Sequence, residues 1–171
     1  LPGTSSSGVD IAMGSGDVGI ASTLDGSLVR TADGGATWQP VFRTSARLSS
    51  ITFADPRTAY AVATGGVYAA GGATGGFKSL DGGLTWAQVG GAGTANLDRI
   101  RCVSTTTCIV TRTDGGGLYR TTDGGSSLDP VASAPGGIRA VAFFGPTRVV
   151  GIGDRGVTAL SDDAGATWRS I

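Results

Sequence analysis

The chain has 171 residues, of which 40% are hydrophobic, and it carries no net charge, so one domain with a real core is expected. It has no His and no Glu, and Lys78 is its only lysine, which excludes histidine-dependent triads, zinc hydrolase sites and imidazole acid–base chemistry. The arginines are scattered and no apolar run is long enough to span a membrane, so neither nucleic acid nor a membrane is expected as a partner.

Four sets of short strands, separated by Gly-rich turns, are predicted along the chain. The first set covers 9–13, 18–22, 27–31 and 38–41. The second covers 48–53, 59–63, 77–79 and 86–89. The third includes 100–103, 108–112 and 128–131, and the fourth includes 138–144, 148–152 and 168–171. Because no window sustains helical periodicity, the chain is predicted to be all-β, a β-propeller of four-stranded antiparallel blades at about 9–41, 48–89, 98–131 and 138–171.

Each predicted blade carries a similar eight-residue segment, here called the octet, between its third and fourth strands. The octets are TADGGATW at 31–38, SLDGGLTW at 79–86, TTDGGSSL at 121–128 and SDDAGATW at 161–168. Their aspartates, Asp33, Asp81, Asp123 and Asp163, are 48, 42 and 40 residues apart. An Asp that accepts backbone hydrogen bonds and a Gly pair that allows positive φ are what a tight reversal needs. The aspartates are therefore predicted to hold turns. Calcium binding, the alternative, has weak support because calcium loops gather several carboxylates.

The last octet position is predicted to be buried. Trp38, Trp86 and Trp168 occupy it in three octets, and a core role is favoured over that of an exposed sugar-binding platform. In the third octet Ser127 and Leu128 replace Thr and Trp, which predicts poorer packing there. In the fourth, Ala164 replaces the first Gly, which weighs against a regular turn.

The octet pattern S/T-x-D-x-G-x-T-W resembles the Asp-box, or BNR repeat, of sialidases, xyloglucan-cleaving glucanases and sortilin-type receptors. The longer pattern G-D-x-G-x-x-x-x-S/T-x-D-x-G-x-T-W, at 153–168, is most similar to the photosystem II assembly and stability factor family, whose relatives include secreted bacterial proteins. The resemblance covers nearly the whole chain and implies a β-propeller. Sialidases need a Tyr–Glu nucleophile pair, which a chain without Glu lacks. Xyloglucan-cleaving glucanases use two aspartates between two propellers, and this sequence contains no second propeller.

The end of the blades opposite the octets, here called the loop face, is the predicted ligand-binding surface. It collects the loops between second and third strands and the connections between blades at 42–47, 90–98 and 132–137. Its candidate ligand residues are Asp25, Arg43, Arg47, Tyr68, Asp98, Asp114, Asp154 and Arg155. For the three aspartates next to glycine, Asp25, Asp114 and Asp154, a turn role is the alternative. No catalytic residue, metal site or cofactor is predicted.

The two cysteines, Cys102 and Cys108, end a first strand and open a second one. A disulfide across this hairpin is predicted, with a pair of buried free thiols as the alternative. Because a disulfide indicates an oxidising compartment, the protein is expected to be extracytoplasmic or secreted. The chain begins with Leu1 rather than Met, as expected of a mature form or a fragment.

Propellers of this repeat type usually close with more than four blades. The chain is therefore expected to be a segment of a larger ring, a four-bladed ring, or one half of an eight-bladed ring made by two copies. Assembly with further blades is favoured because open edges associate. The leading hypothesis for function is non-enzymatic binding or scaffolding of a protein or glycan. The alternative is a fragment of an Asp-dependent glycoside hydrolase, and activity as an enzyme is disfavoured.

Overall fold

The computed structural model describes residues 7–64, 75–89 and 96–171, which form four antiparallel sheets of four strands each. Blade 1 consists of β1 (Gly8–Met13), β2 (Gly19–Thr23), β3 (Ser27–Thr31) and β4 (Gln39–Arg43). Blade 2 consists of β5 (Arg47–Phe53), β6 (Ala59–Thr64), β7 (Gly75–Ser79) and β8 (Ala87–Val89). Blade 3 consists of β9 (Leu97–Cys102), β10 (Cys108–Arg112), β11 (Leu118–Thr121) and β12 (Asp129–Pro130). Blade 4 consists of β13 (Ile138–Phe143), β14 (Val149–Gly153), β15 (Thr158–Ser161) and β16 (Arg169–Ser170).

Each sheet is a meander, because strands that follow one another in the chain are neighbours in the sheet. The all-β fold class of four-stranded blades is thus confirmed. The fourth strands begin one residue after the last octet position, at Gln39, Ala87, Asp129 and Arg169. The predicted fourth strands start one residue too early, and in the three octets that end in Trp the indole at that position hydrogen-bonds back into the turn. A 3-10 turn is present at Asp154–Gly156. Among the described residues, no helix is long and apolar enough to cross a membrane.

The first strands of successive blades lie next to one another, with β1 beside β5, β5 beside β9 and β9 beside β13. Asp10 in β1 accepts a hydrogen bond from the backbone N–H of Ile51 in β5, at 2.9 Å. The first strands therefore lie on the inner side of the array, and the later strands of each meander follow outwards.

Every blade has two packing faces, because side chains alternate along its strands. We call the face directed at the preceding blade the rear face and the opposite one the forward face. The forward face of blade 1, with Ile20 and Leu28, packs on Ile51 and Phe77 of the rear face of blade 2. The next two interfaces repeat this arrangement. Tyr60 and Val62 meet the rear-face residues Ile100 and Val110, and Ile109 and Leu118 meet Val141 and Trp168. The core therefore lies between blades.

The two outermost faces of the array are not covered in this way. On the rear face of blade 1, Ile11 of the first strand is 58% exposed, although Ala21 and Val29 beside it are buried, and on the forward face of blade 4, Ile152 is 56% exposed. Blade 4 therefore does not cover the rear face of blade 1.

Cys102 and Cys108 form a disulfide, as predicted. The two residues are directly opposite each other in the β9–β10 pair, so the bond closes the hairpin that joins these strands. Cys108 is buried against Tyr60 and Val62, and the disulfide is thus part of the interface between blades 2 and 3. No free cysteine is present.

Candidate functional site

The octets form four copies of one hydrogen-bonded turn. In the first copy the Thr31 hydroxyl donates to Asp33 at 2.7 Å, and the Thr37 backbone N–H and hydroxyl donate to the two Asp33 oxygens at 2.8 and 2.6 Å. The Trp38 indole N–H donates to the Gly35 carbonyl at 3.0 Å. The same carboxylate bonds recur at Asp81, Asp123 and Asp163. These carboxylates are engaged inside their own turns.

Hydrogen bonds to the octet carboxylates favour the ionised form. Those from Thr37, followed by that from Thr31, lower the pKa of Asp33 from 3.8 to about 2. At Asp81, burial makes the largest contribution and raises the pKa, but the hydrogen bonds from Thr85 and Ser79 outweigh it, and the pKa is again about 2. The backbone N–H of Ser127 and the hydroxyl of Thr167 are the main causes of pKa values of about 2 at Asp123 and Asp163. All four aspartates are therefore anionic near neutral pH.

The two irregular octets keep the turn. Ser127 supplies the same two hydrogen bonds to Asp123 as a threonine would. Ala164 adopts a left-handed conformation, with φ of 55°, so the fourth turn keeps its shape with strain at that residue instead of losing its regularity. The burial of the tryptophans varies: Trp168 is 8% exposed, whereas Trp38 and Trp86 are half-buried. The expectation that all three lie in the core is thus wrong for Trp38, which faces the uncovered side of blade 1, and too strong for Trp86.

On the loop face, Arg139 at the start of β13 connects blades 3 and 4. Its guanidinium donates to Asp154 at 2.9 and 2.7 Å, and also to the Thr113 carbonyl. The neighbouring backbones are joined as well, because Gly137 donates to the Gly115 carbonyl and Asp154 to the Gly137 carbonyl, each at 2.9 Å. Arg139 therefore fixes the loops of two adjacent blades relative to each other.

The charges around Arg139 reinforce this arrangement. The hydrogen bonds to Asp154, and then the charges of Asp154, Asp98 and Asp114, raise the pKa of Arg139. In turn, the Arg139 guanidinium lowers the pKa of Asp154. Of the candidate ligand residues, Asp154 bonds Arg139 directly, and Asp98 and Asp114 act on it through their charges; we call these residues and Arg139 the Arg139 cluster.

A second arginine extends the cluster on blade 3. Arg112 donates through Nε to Asp114 at 2.9 Å and through Nη1 to the Tyr119 hydroxyl at 3.2 Å, and its guanidinium lies 5.5 Å from the centre of the Tyr119 ring. Asp114 also accepts the backbone N–H of Gly116 at 2.9 Å. The bond from Arg112 is the main cause of a lowered pKa of Asp114. The result is a half-exposed row of arginine, carboxylate and tyrosine groups.

The remaining candidates are placed elsewhere on the loop face. Asp25 accepts a hydrogen bond from the Thr23 hydroxyl at 2.5 Å, the main cause of its lowered pKa, and lies 3.7 Å from exposed Arg43. Arg47 begins β5 and is exposed. Arg155 is exposed in a left-handed conformation with φ of 54°, and Tyr68 lies outside the described residues.

Arg112, Tyr119 and Arg139 were missed as site residues by the sequence analysis. Arg112 could have been found, because it stands two residues before Asp114, in the same turn. Arg139 carried no such signal, since its partner Asp154 is 15 residues away on the next loop. In the described part of the chain, no three Cys or Asp side chains converge as metal ligands.

The geometry defines a class of protein, four antiparallel blades of the β-propeller type with a charged surface at their loop end. No protein-family model matches the chain, and comparison with curated protein sequences finds no significant match.

Solved structures share the fold at low identity. The structure "YCF48 bound to D1 peptide" matches with a TM-score of 0.72 and 21% identity, over 99% of this chain and 56% of that one. The GH74 xyloglucanase from Xanthomonas campestris matches with a TM-score of 0.72 and 19% identity, over 97% of this chain and 30% of the enzyme. The computationally designed Ika4 protein matches with a TM-score of 0.71 and 14% identity, over 94% of this chain and 93% of that one. The chain thus spans little more than half of the YCF48 structure, and the likeness concerns the fold.

Proposed function

We propose that this chain is a non-enzymatic propeller that binds a polypeptide segment at its loop face, through the Arg139 cluster and Arg112. The observation that carries the proposal is the gathering of two arginines, three carboxylates and Tyr119 on one half-exposed surface that spans blades 3 and 4. Arginine and tyrosine are the side chains most often dominant in protein interfaces. Their mutual bonds hold them in position before a partner arrives, which lowers the entropy cost of binding.

The fold comparison supports a peptide partner, because one structure that shares this fold is YCF48 with a D1 peptide. We infer further that the octets are Asp-boxes, since all four use one Asp for the same bonds within the turn. The octet aspartates then have a structural role, and the loop face is left as the surface for recognition.

The alternative, a fragment of an Asp-dependent glycoside hydrolase, draws support from the GH74 fold match. A glycosidase needs one carboxylic acid that keeps its proton, and therefore a raised pKa. On the loop face, hydrogen bonds and arginines lower the pKa of Asp25, Asp114 and Asp154 instead. This electrostatic pattern favours binding over acid catalysis. The disulfide favours an extracytoplasmic location.

The test is a selection of phage-displayed random peptides on the immobilised protein, followed by affinity measurements on the enriched peptides. The double variant Arg112→Gln/Arg139→Gln should weaken binding at least tenfold, because it removes two half-exposed guanidinium groups. The matched control is Arg148→Gln, which breaks a similar exposed pair with Asp162, at 2.7 Å, on the octet end of the blades. Melting temperatures of all variants show that each is folded.

Three results would contradict the proposal. They are failure to enrich any peptide, equal loss of binding in the Arg148→Gln control, and full binding by the double variant. Binding of an oligosaccharide array that depends on Arg112 and Arg139 would indicate a glycan ligand instead. Release of reducing sugar from xyloglucan would indicate the hydrolase alternative.

A further inference from the structure

The uncovered faces of blades 1 and 4 have the same residue pattern as the covered ones. Ile11, Ile51, Ile100 and Val141 are equivalent by strand register, because they pair with Ala21, Ala61, Val110 and Gly151. The preceding blade covers three of these residues: Ile51, Ile100 and Val141 are 2%, 4% and 8% exposed, whereas Ile11 is 58% exposed. A cavity of about 330 Å³, lined by Val9, Ile11 and Ala21 among others, lies beside this residue. The first strand of blade 1 thus exposes an apolar position that the preceding blade covers in blades 2 to 4, while Ala21 and Val29 on the same face are buried.

The forward face of blade 4 carries the complementary feature. At the three covered interfaces, a large side chain of one blade enters the space above the second octet glycine of the next. A Cβ on Gly83 would collide with Ile20 and one on Gly165 with Ile109, while one on Gly125 would lie 3.7 Å from the Tyr60 ring. The equivalent side chain of blade 4 is Val150, which is half-exposed. The equivalent glycine of blade 1 is Gly35, above which, among the residues that the structure describes, only its own Trp38 lies within 4 Å.

One element of the repeated interface is changed. Arg30, Lys78 and Arg120 each donate to the carbonyl of the first glycine position in the next octet: to Gly82 at 2.7 Å, to Gly124 at 3.2 Å and to Ala164 at 2.9 Å. The equivalent residue of blade 4, opposite Val150, is Leu160. A blade packed on the forward face of blade 4 would therefore meet the apolar side chain of Leu160 at the position where blades 2, 3 and 4 accept a hydrogen bond from a cationic side chain.

We propose that these two faces bind each other in a second copy of the chain, so that two chains close an eight-bladed ring. Blade 4 of each copy packs on blade 1 of the other, with Val150 above the partner's Gly35 and Leu160 beside the partner's Gly34. The two ends of one chain are different surfaces, so the contact is head-to-tail, and a two-fold axis produces it twice. Propeller rings have four to eight blades, and two copies reach eight whereas three would exceed that range. This inference does not depend on the proposed function.

The test is the mass of the 171-residue chain in solution, by sedimentation velocity over a dilution series. We expect twice the chain mass of 16.9 kDa. Ile11→Asp and Ile152→Asp should each dissociate the dimer, because each would bury a carboxylate at the contact. Both side chains are exposed within one chain, so the blades themselves should remain folded. The matched control is Leu80→Asp, which changes an exposed leucine on the octet end of blade 2 and reproduces the residue that blade 4 has there, Asp162.

A variant that should strengthen the contact provides a second test. Leu160→Arg restores the cation of the internal interfaces and should lower the dimer dissociation constant about a hundredfold, because the ring contains the contact twice and each charge-assisted hydrogen bond contributes about tenfold. Unchanged or weaker association of this variant would contradict the placement of Leu160 beside the partner's Gly34. A monomer at every concentration would overturn the proposal and leave blades from a longer chain as the covering elements. An open series of larger oligomers, or an Ile11→Asp variant that stays dimeric, would overturn the closed ring.

Discussion

Replacing the buried tryptophan of blade 4, Trp168→Ala, should be the most destabilising of the octet substitutions. Trp168 is 8% exposed and packs with Ile109, Ile138 and Val141 between blades 3 and 4. A buried tryptophan removes about 150–250 Å² from water, which at about 25 cal/mol per Å² corresponds to about 4–6 kcal/mol. Residual burial in the unfolded chain reduces this value, so we expect a loss of about 4 kcal/mol in the free energy of unfolding.

Two matched variants separate the contributions to this loss. Trp86→Ala makes the same change at the same octet position in a half-buried environment, between blades 1 and 2, and should cost about 2 kcal/mol. Trp168→Phe keeps most of the apolar surface and removes only the indole N–H bond to the Gly165 carbonyl, so it should cost about 1–2 kcal/mol. The assay is thermal unfolding by circular dichroism at one fixed protein concentration. At about 3 °C per kcal/mol for a chain of this size, Trp168→Ala should lower Tm by roughly 10 °C. A decrease no larger than that of Trp86→Ala would refute the reasoning.

Two further predictions concern the octet aspartates and the disulfide. Because the folded-state pKa of these aspartates is about 2, below the ordinary 3.8, the stability they contribute is complete above about pH 4–5 and is lost as pH falls towards 2. Tm measured as a function of pH should therefore fall steeply between about pH 5 and pH 2. The Asp163→Asn variant should show a smaller fall, because it lacks one of the four carboxylates. A Tm that stays constant down to pH 2 would contradict the pKa values. Reduction of the Cys102–Cys108 bond, which joins residues six apart, should cost about 2 kcal/mol by loop-closure entropy, measured by urea unfolding of the oxidised and the reduced, alkylated protein. Equal stability of the two forms would show that the hairpin is held without the bond.

The turns and strands of this protein could be predicted from the sequence because they depend on residues close together in the chain. Each octet uses an Asp whose partners are two residues before it and four residues after it. The disulfide closes a hairpin between directly opposed residues. Because the octet contacts recur at similar spacing in each repeat, both the turns and the four-stranded units can be predicted from the sequence alone.

The candidate binding surface was only partly visible. Asp114 and Asp154 could be predicted as site residues from their position in or next to glycine turns. Their partners, Arg112 and Arg139, were not predicted. Arg139 belongs to the first strand of blade 4 and reaches the Thr113 carbonyl, 26 residues back in blade 3. Nothing in the local sequence distinguishes it from the arginines that point elsewhere, such as Arg148 at the opposite end of the same blade.

The contacts between blades were decided only by the tertiary structure. Nothing in the sequence around the cationic residues of the third strands indicates their partners. Yet each donates a hydrogen bond to an octet carbonyl 44 to 52 residues further along the chain, as is seen for Arg30, Lys78 and Arg120. The sequence determines each blade because its turns and strand pairs are local. Only the stacking of one sheet on the next determines which faces are covered, and therefore why Ile51 is buried while the equivalent Ile11 is exposed.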